Sequence, residues 1–287
     1  MWLSEGNIGL GRETILQLAK HNAKIVYLAA RNRSKAEATI KEIKGATSDS
    51  STDVRFLELD LASFDSMKKA AAQFASVSDR LDLLINNAGI MGNPISQTKE
   101  GYEIHFGTNH LGHALLTKLL LPTLQRTAAL PDADVRVINV SSKAYQNAPG
   151  PTYPFSKLKG DGHDIGWWSR YAISKLANIH FTQGLAQRHK DILFTAVHPG
   201  TVDTNIQGAF FEAHPWLAWP LGFLIRFIVN PVEKGARNQL WAATAKNVES
   251  GSYYDPVGKK CTDRKIDDEG NMKALWDWTD EQLKDVI

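Results

Sequence analysis

Short, continuous apolar runs alternate with helix-period segments along most of this chain, and that order leaves few architectures open. Runs at 23–30, 54–61, 81–87, 135–141 and 192–197 are short and mainly apolar, read as strands buried on both sheet faces. Helical patterns at 9–21, 34–44, 63–75 and 101–121 fall between them. Strand, helix and strand in repeated order predict a parallel sheet with right-handed crossovers and helices on both faces. The expected fold is α/β: a Rossmann-type, doubly wound parallel sheet in three layers. With no repeat, low-complexity tract or linker, residues 1–287 read as a single domain. Its first strand is expected to be short, since only Met1-Trp-Leu-Ser4 precedes a glycine-rich turn. Such a strand is expected to leave ladder groups of its neighbours partly unpaired.

That turn carries Gly6, Gly9 and Gly11 and opens a helix. Glycines there let backbone N–H groups approach a pyrophosphate at the helix N-terminus. Farther along, Tyr171 and Lys175 stand four residues apart, on one face of a helix. An ammonium beside a phenol is expected to favour tyrosinate, drawing the phenol below its ordinary value near ~10. Such a phenol exchanges a proton with an alcohol oxygen, and Ser142, ending the apolar run 135–140, is placed to steady that oxygen. On the same helix Ile173, Leu176, Ala177, Phe181 and Leu185 form a packing stripe, leaving Tyr171 and Lys175 for a cleft.

Composition bounds the alternatives. The formal net charge of +2 supplies no basic field for nucleic acid. Cys261 is the sole cysteine, so no disulfide framework or cysteine metal cluster is available, and a reducing, cytoplasmic setting fits. The most apolar stretch, 215–229, is interrupted by prolines and carries Arg226, which makes it short for a bilayer span. His105, His110 and His113 lie close together but lack further ligands in metal-binding spacing and read as structural.

These motifs together resemble the short-chain dehydrogenase/reductase family, in the branch of retinol dehydrogenases and related fungal pathway reductases. The resemblance rests on the turn at 6–11, Asp-Leu at 60–61, Asn-Asn-Ala-Gly at 86–89 and Asn-His-Leu-Gly at 109–112. It continues through Asn-Val-Ser-Ser at 139–142, Tyr171 to Lys175, His-Pro-Gly-Thr-Val-Asp-Thr at 198–204 and Leu-Trp-Asp-Trp at 275–278. It implies Tyr171 as general acid/base, Lys175 on the nicotinamide ribose, Ser142 orienting the substrate oxygen and Asn109 retaining a relay water. It also implies Gly6, Gly9, Leu10 and Gly11 around the phosphates and Asp60 and Leu61 at adenine. Asn86, Asn87 and Gly89 would shape the adenosine side, and Val202 and Thr204 would meet the carboxamide.

Cofactor choice turns on the end of the second strand. Residues 29–35 read Ala-Ala-Arg-Asn-Arg-Ser-Lys, with no acid before Glu37, and Arg31 suits a 2′-phosphate. NADP(H) is the expected coenzyme. The substrate is expected to be a bulky, apolar carbonyl or alcohol: Trp167 and Trp168 precede Tyr171, and a substrate loop at about 205–230 carries Phe210, Phe211, Trp216, Trp219 and Phe223. A dimer contact or a peripheral membrane surface would use the same aromatics. Two alternatives stay open. One is an NAD-dependent alcohol oxidation on the same residues. The other is a non-catalytic relative with impaired cofactor binding, because Ser4-Glu5 stands where the family has Thr-Gly and Glu5 brings a negative charge to the phosphate turn.

Overall fold

The computed structural model describes residues 1–150, 152–202 and 230–287. Its centre is an eight-stranded sheet in the order β3-β2-β1-β4-β5-β6-β7-β8. The strands are β1 (Trp2–Ser4), β2 (Ile25–Ala30), β3 (Asp53–Glu58), β4 (Leu83–Asn86), β5 (Arg136–Val140), β6 (Leu193–Val197), β7 (Tyr253–Asp255) and β8 (Lys259–Cys261). All pair in parallel except β7 with β8, so the expected parallel sheet carries an antiparallel edge.

Short as it is, β1 is paired on both sides, Trp2 against Tyr27 and Leu84, Leu3 against Leu28 and Ile85. The Met1 carbonyl accepts the Tyr27 N–H at 3.0 Å and the Met1 nitrogen donates to the Ile25 carbonyl at 3.1 Å, extending the ladder by a residue. The gap expected beside the first strand is thereby filled on its β2 side. Alternation along β1 then divides the interior. Trp2 points into one core with Tyr27, Met67, Phe74 and Leu115, and Leu3 into the other with Ile15, Leu28, Ile43 and Ile138.

The second of these cores is roofed by α1 (Gly9–Lys20), α2 (Arg33–Ala46) and α8 (Val232–Thr244), the first by α3 (Phe64–Val77), α5 (His113–Ala128), α7 (Trp167–Arg188) and α9 (Glu269–Leu283). Two short helices, α4 (Ile104–Phe106) and α6 (Phe155–Leu158), complete the set described. Three layers result, as expected.

Between α4 and α5 the backbone widens into a π-turn, Gly107–Gly112. A π-turn adds a residue to the helix and re-aims the side chains it carries. Its end glycines are needed for closeness: a Cβ at Gly107 would strike Thr98, and one at Gly112 would strike the Leu61 carbonyl. α5 then runs through Pro122 to Ala128, beyond the expected end at residue 121. Leu120 and Leu124 are buried on either side of the proline, and their burial outweighs the lost helix bond.

Candidate active site

Where β1 and β4 lie side by side, the connections from their C-terminal ends run to opposite sides of the sheet, and a cleft of about 530 Å³ opens there. It is lined by Ser4 and Glu5 from the turn, Arg31 and Lys35 after β2, Asp60 and Leu61 after β3, and Gly89 and Ile90 after β4. The turn is held tightly. Gly9 sits at φ +50°, and a Cβ at Gly11 would collide with the Glu5 carbonyl. Gly6 faces inward onto Ile15 and Leu28, so its smallness serves packing. Leu10 packs toward Gly235 of α8.

The end of β4 is stapled to the turn by Ser4. Its buried hydroxyl oxygen accepts the Asn87 and Ala88 N–H groups, each at 2.9 Å, and lies 3.0 Å from His113 Nε2. The other ring nitrogen of His113 is 3.0 Å from the Asn109 carbonyl, which can only accept, so Nδ1 carries the hydrogen. Burial pushes His113 down to about 3. The ring is therefore neutral at pH 7, and Nε2 accepts the Ser4 proton. His110 and His105 bond elsewhere, to Thr279 at 3.0 Å and Glu103 at 2.7 Å.

Asn87 donates its amide to the Ser4 carbonyl at 3.0 Å and so ties β4 to the turn. Asn86 corrects the sequence expectation. It is buried, donates to Thr117 at 2.9 Å and Asn139 at 2.7 Å, and supports the strand end from behind without reaching the cleft. An amide in an apolar interior must find such partners, and here they lie away from the ligand side. Asp60 lines the cleft and also caps its own turn, accepting the Ala62 N–H at 3.0 Å.

A second cluster forms at the end of β5. Ser142 caps the 3₁₀ turn Lys143–Asn147, its hydroxyl oxygen accepting the Ala144 N–H at 3.2 Å, and it lies near enough to the Tyr171 phenol to influence its titration. Lys175 is buried one helical turn on, its Nζ donating to the Val140 carbonyl at 3.1 Å and standing 5.7 Å from the Tyr171 ring centre. Here the expected electrostatics do not hold. Burial pushes Tyr171 up to about 12, against a smaller downward pull from the nearby Ser142 hydroxyl. The same burial lowers Lys175 to about 8, opposed by the Glu5 carboxylate. In this setting the phenol is a neutral proton donor.

Asn109, carried by the π-turn, braces the two clusters. Its amide oxygen accepts the Ile90 N–H at 2.9 Å, and its amide nitrogen donates to the Ile90 carbonyl and Ser174 hydroxyl, each at 3.0 Å. Val202 is buried and bridges Asn230. Thr204 and most of the expected substrate loop, with its phenylalanines and tryptophans, lie outside the described residues.

Cleft and cluster together match a known pattern. Residues 6–215 match the family of short chain dehydrogenases. This chain belongs to that family. Human retinol dehydrogenase 11 is 37% identical over 278 residues, covering 94% of this chain and 81% of that protein. A short-chain dehydrogenase/reductase of Phomopsis amygdali is 36% identical over 303 residues, covering 98% and 88%. Among solved structures, an uncharacterised protein of Mycobacterium paratuberculosis superposes with a TM-score of 0.73 at 30% identity, covering 99% of this chain and 92% of its own. Levodione reductase superposes at 0.69 with 19% identity, covering 90% and 95%, a likeness of fold. The chain thus falls in the retinol-dehydrogenase-like branch of a family of oxidoreductases.

Several cleft residues were not singled out from sequence. Lys35 could have been found, since it lies four residues from Arg31 at the start of α2. Ile90 and Thr108 have no local signal and reach the cleft only through the π-turn and the β4 connection. The donor set suits a dinucleotide: glycines allow close backbone approach, and Arg31, Lys35 and Asp60 line the same cleft. Glu5, turned into the cleft, is the exception. Among the described residues no helix is long and apolar enough to cross a membrane.

Proposed function

We propose that this chain interconverts a carbonyl and an alcohol on a bulky, apolar small molecule, using a nicotinamide coenzyme with preference for NADP(H). The observation that carries this reading is the grouping of half-buried Ser142 with buried Tyr171 and Lys175 at the end of β5, with Lys175 near enough to the cleft-lining Glu5 to feel its charge. A bound nicotinamide would supply or accept the hydride. Arg31 and Lys35 would hold the 2′-phosphate, and the start of α1 the pyrophosphate. Asp60 would stand at the adenine end, Leu61 against its face.

Every remaining step belongs to the protein. Tyr171 holds its proton at neutral pH and gives it to the substrate oxygen as negative charge gathers there. Ser142 donates to the same oxygen, an interaction whose removal costs about 10²–10³ in rate. Lys175, charged below about pH 8, favours an anion on the phenol once the proton has left. Trp168 stands beside the site, 5.8 Å from the Tyr171 ring, half in solvent, and supports an apolar substrate. Retinol dehydrogenase 11 carries such a substrate in its name, and this branch membership supports the same class here.

The test is a panel of apolar ketones and aldehydes with NADPH and NADH. NADPH-dependent reduction that vanishes in Tyr171→Phe, with NADPH binding nearly intact, is the expected result. Comparable turnover with NADH would remove the coenzyme preference, and retained turnover in the phenylalanine variant would remove the mechanism.

A further inference from the structure

Glu5 is at φ +56°, in the left-handed region that glycine prefers. From there its side chain enters the cleft, and Oε2 accepts the Gly89 N–H at 3.1 Å. Resting on the nicotinamide reading above, we propose that the Glu5 carboxyl is a proton-linked plug in the coenzyme cleft. It occupies the Gly89 N–H at the border of the coenzyme's path, and the coenzyme enters as the carboxyl takes up one proton.

The charges facing Glu5 decide the sign. Arg31 and Lys35 line the cleft from the β2–α2 connection and Asp60 from the end of β3, while Lys175, buried on α7, acts on Glu5 through its charge. The β4 end contributes only the Gly89 N–H, and His113, behind Ser4, is neutral. Burial already raises Glu5 above its ordinary value, against the pull of that N–H, Arg31 and Lys175. A dinucleotide adds phosphate charges of the same sign as the carboxylate, which raises the carboxyl further. Whatever binds the protonated form better takes up a proton, so affinity falls with rising pH, by up to about tenfold per pH unit between the free and bound titrations.

Glu5→Gln keeps the shape and removes the charge, while Glu5→Gly removes the side chain and relieves the backbone. NADPH binding to the wild-type chain and both variants is followed by fluorescence, and by calorimetry in buffers of unlike ionisation heat to count protons. The wild-type chain is expected to bind at least about tenfold more weakly than either variant and to take up close to one proton more. Binding by the variants with none by the wild-type chain is the same plug at its strongest. Equal affinity and equal proton uptake in all three would overturn the plug and leave the coenzyme reading standing. No binding by any of the three would overturn both.

Discussion

At Tyr171 and Lys175 burial outweighs the attraction between neighbours, and the pH behaviour follows from that. Tyr171 at about 12 stays protonated through the physiological range, so reduction is expected to show no loss from phenol ionisation between about pH 6 and 9. The reverse reaction needs the tyrosinate and is expected to speed up as pH rises. Lys175 titrates near 8 in the fold against 10.5 ordinarily, so between those values the unfolded chain binds the extra proton. Its contribution to stability therefore rises with pH across that window, while its ammonium is being lost. Reduction is expected to decline above about pH 8 without a matching fall in Tm from this residue. Lys175→Met should remove the decline, which pH profiles of kcat/KM alongside thermal melts would check. The spacing of Tyr171 and Lys175 was legible in the sequence because helical geometry is local. The direction of the phenol's titration was not, because it depends on how thoroughly distant segments bury the pair.

Among the elements, α7 positions this chemistry, and its entry is anchored by a buried charge cluster. Glu103 accepts from His105 at 2.7 Å and from the Phe106 N–H at 2.7 Å, with Arg170, the residue before Tyr171, 3.7 Å away. All three side chains are buried. Removing one partner of such a set leaves an uncompensated charge, so Glu103→Ala is expected to cost about 3–5 kcal/mol in denaturant unfolding. A loss under 1 kcal/mol would mean that the cluster is not what anchors the helix. Strands β2, β5 and β6 were readable as apolar runs because both their faces are covered. The strands β7 and β8 were not: at three residues each they offer no periodicity, and Lys259 and Lys260 are exposed on the edge. The π-turn was equally hidden, since its sequence continues a helical pattern and only the packing of Gly107 and Gly112 reveals the extra residue.

For the whole molecule, α9 closes the fold over α7. Trp276 of α9 stacks on Phe181 at 5.6 Å and lies under Arg188 at 3.9 Å, and a Cβ on Gly184 would run into its ring. Trp276→Ala is expected to destabilise by about 3–5 kcal/mol, read as a lower midpoint in urea. Residues 170–182 and 184–186 of α7 are buried within the chain itself. The cleft exists only because β1 to β4 converge there. Motif order announced that convergence, while the inward turn of Asn86 and the reach of Glu5 to Gly89 belong to the folded arrangement alone. The most direct measurement of the central claim follows a deuteride from [4,4-²H₂]NADPH, labelled on both faces, to an apolar ketone. The product alcohol is expected to carry deuterium at its carbinol carbon with the wild-type chain and to be missing with Tyr171→Phe, both chains binding the coenzyme. Unlabelled alcohol from the wild-type chain, or equal labelling by the two, would contradict the account.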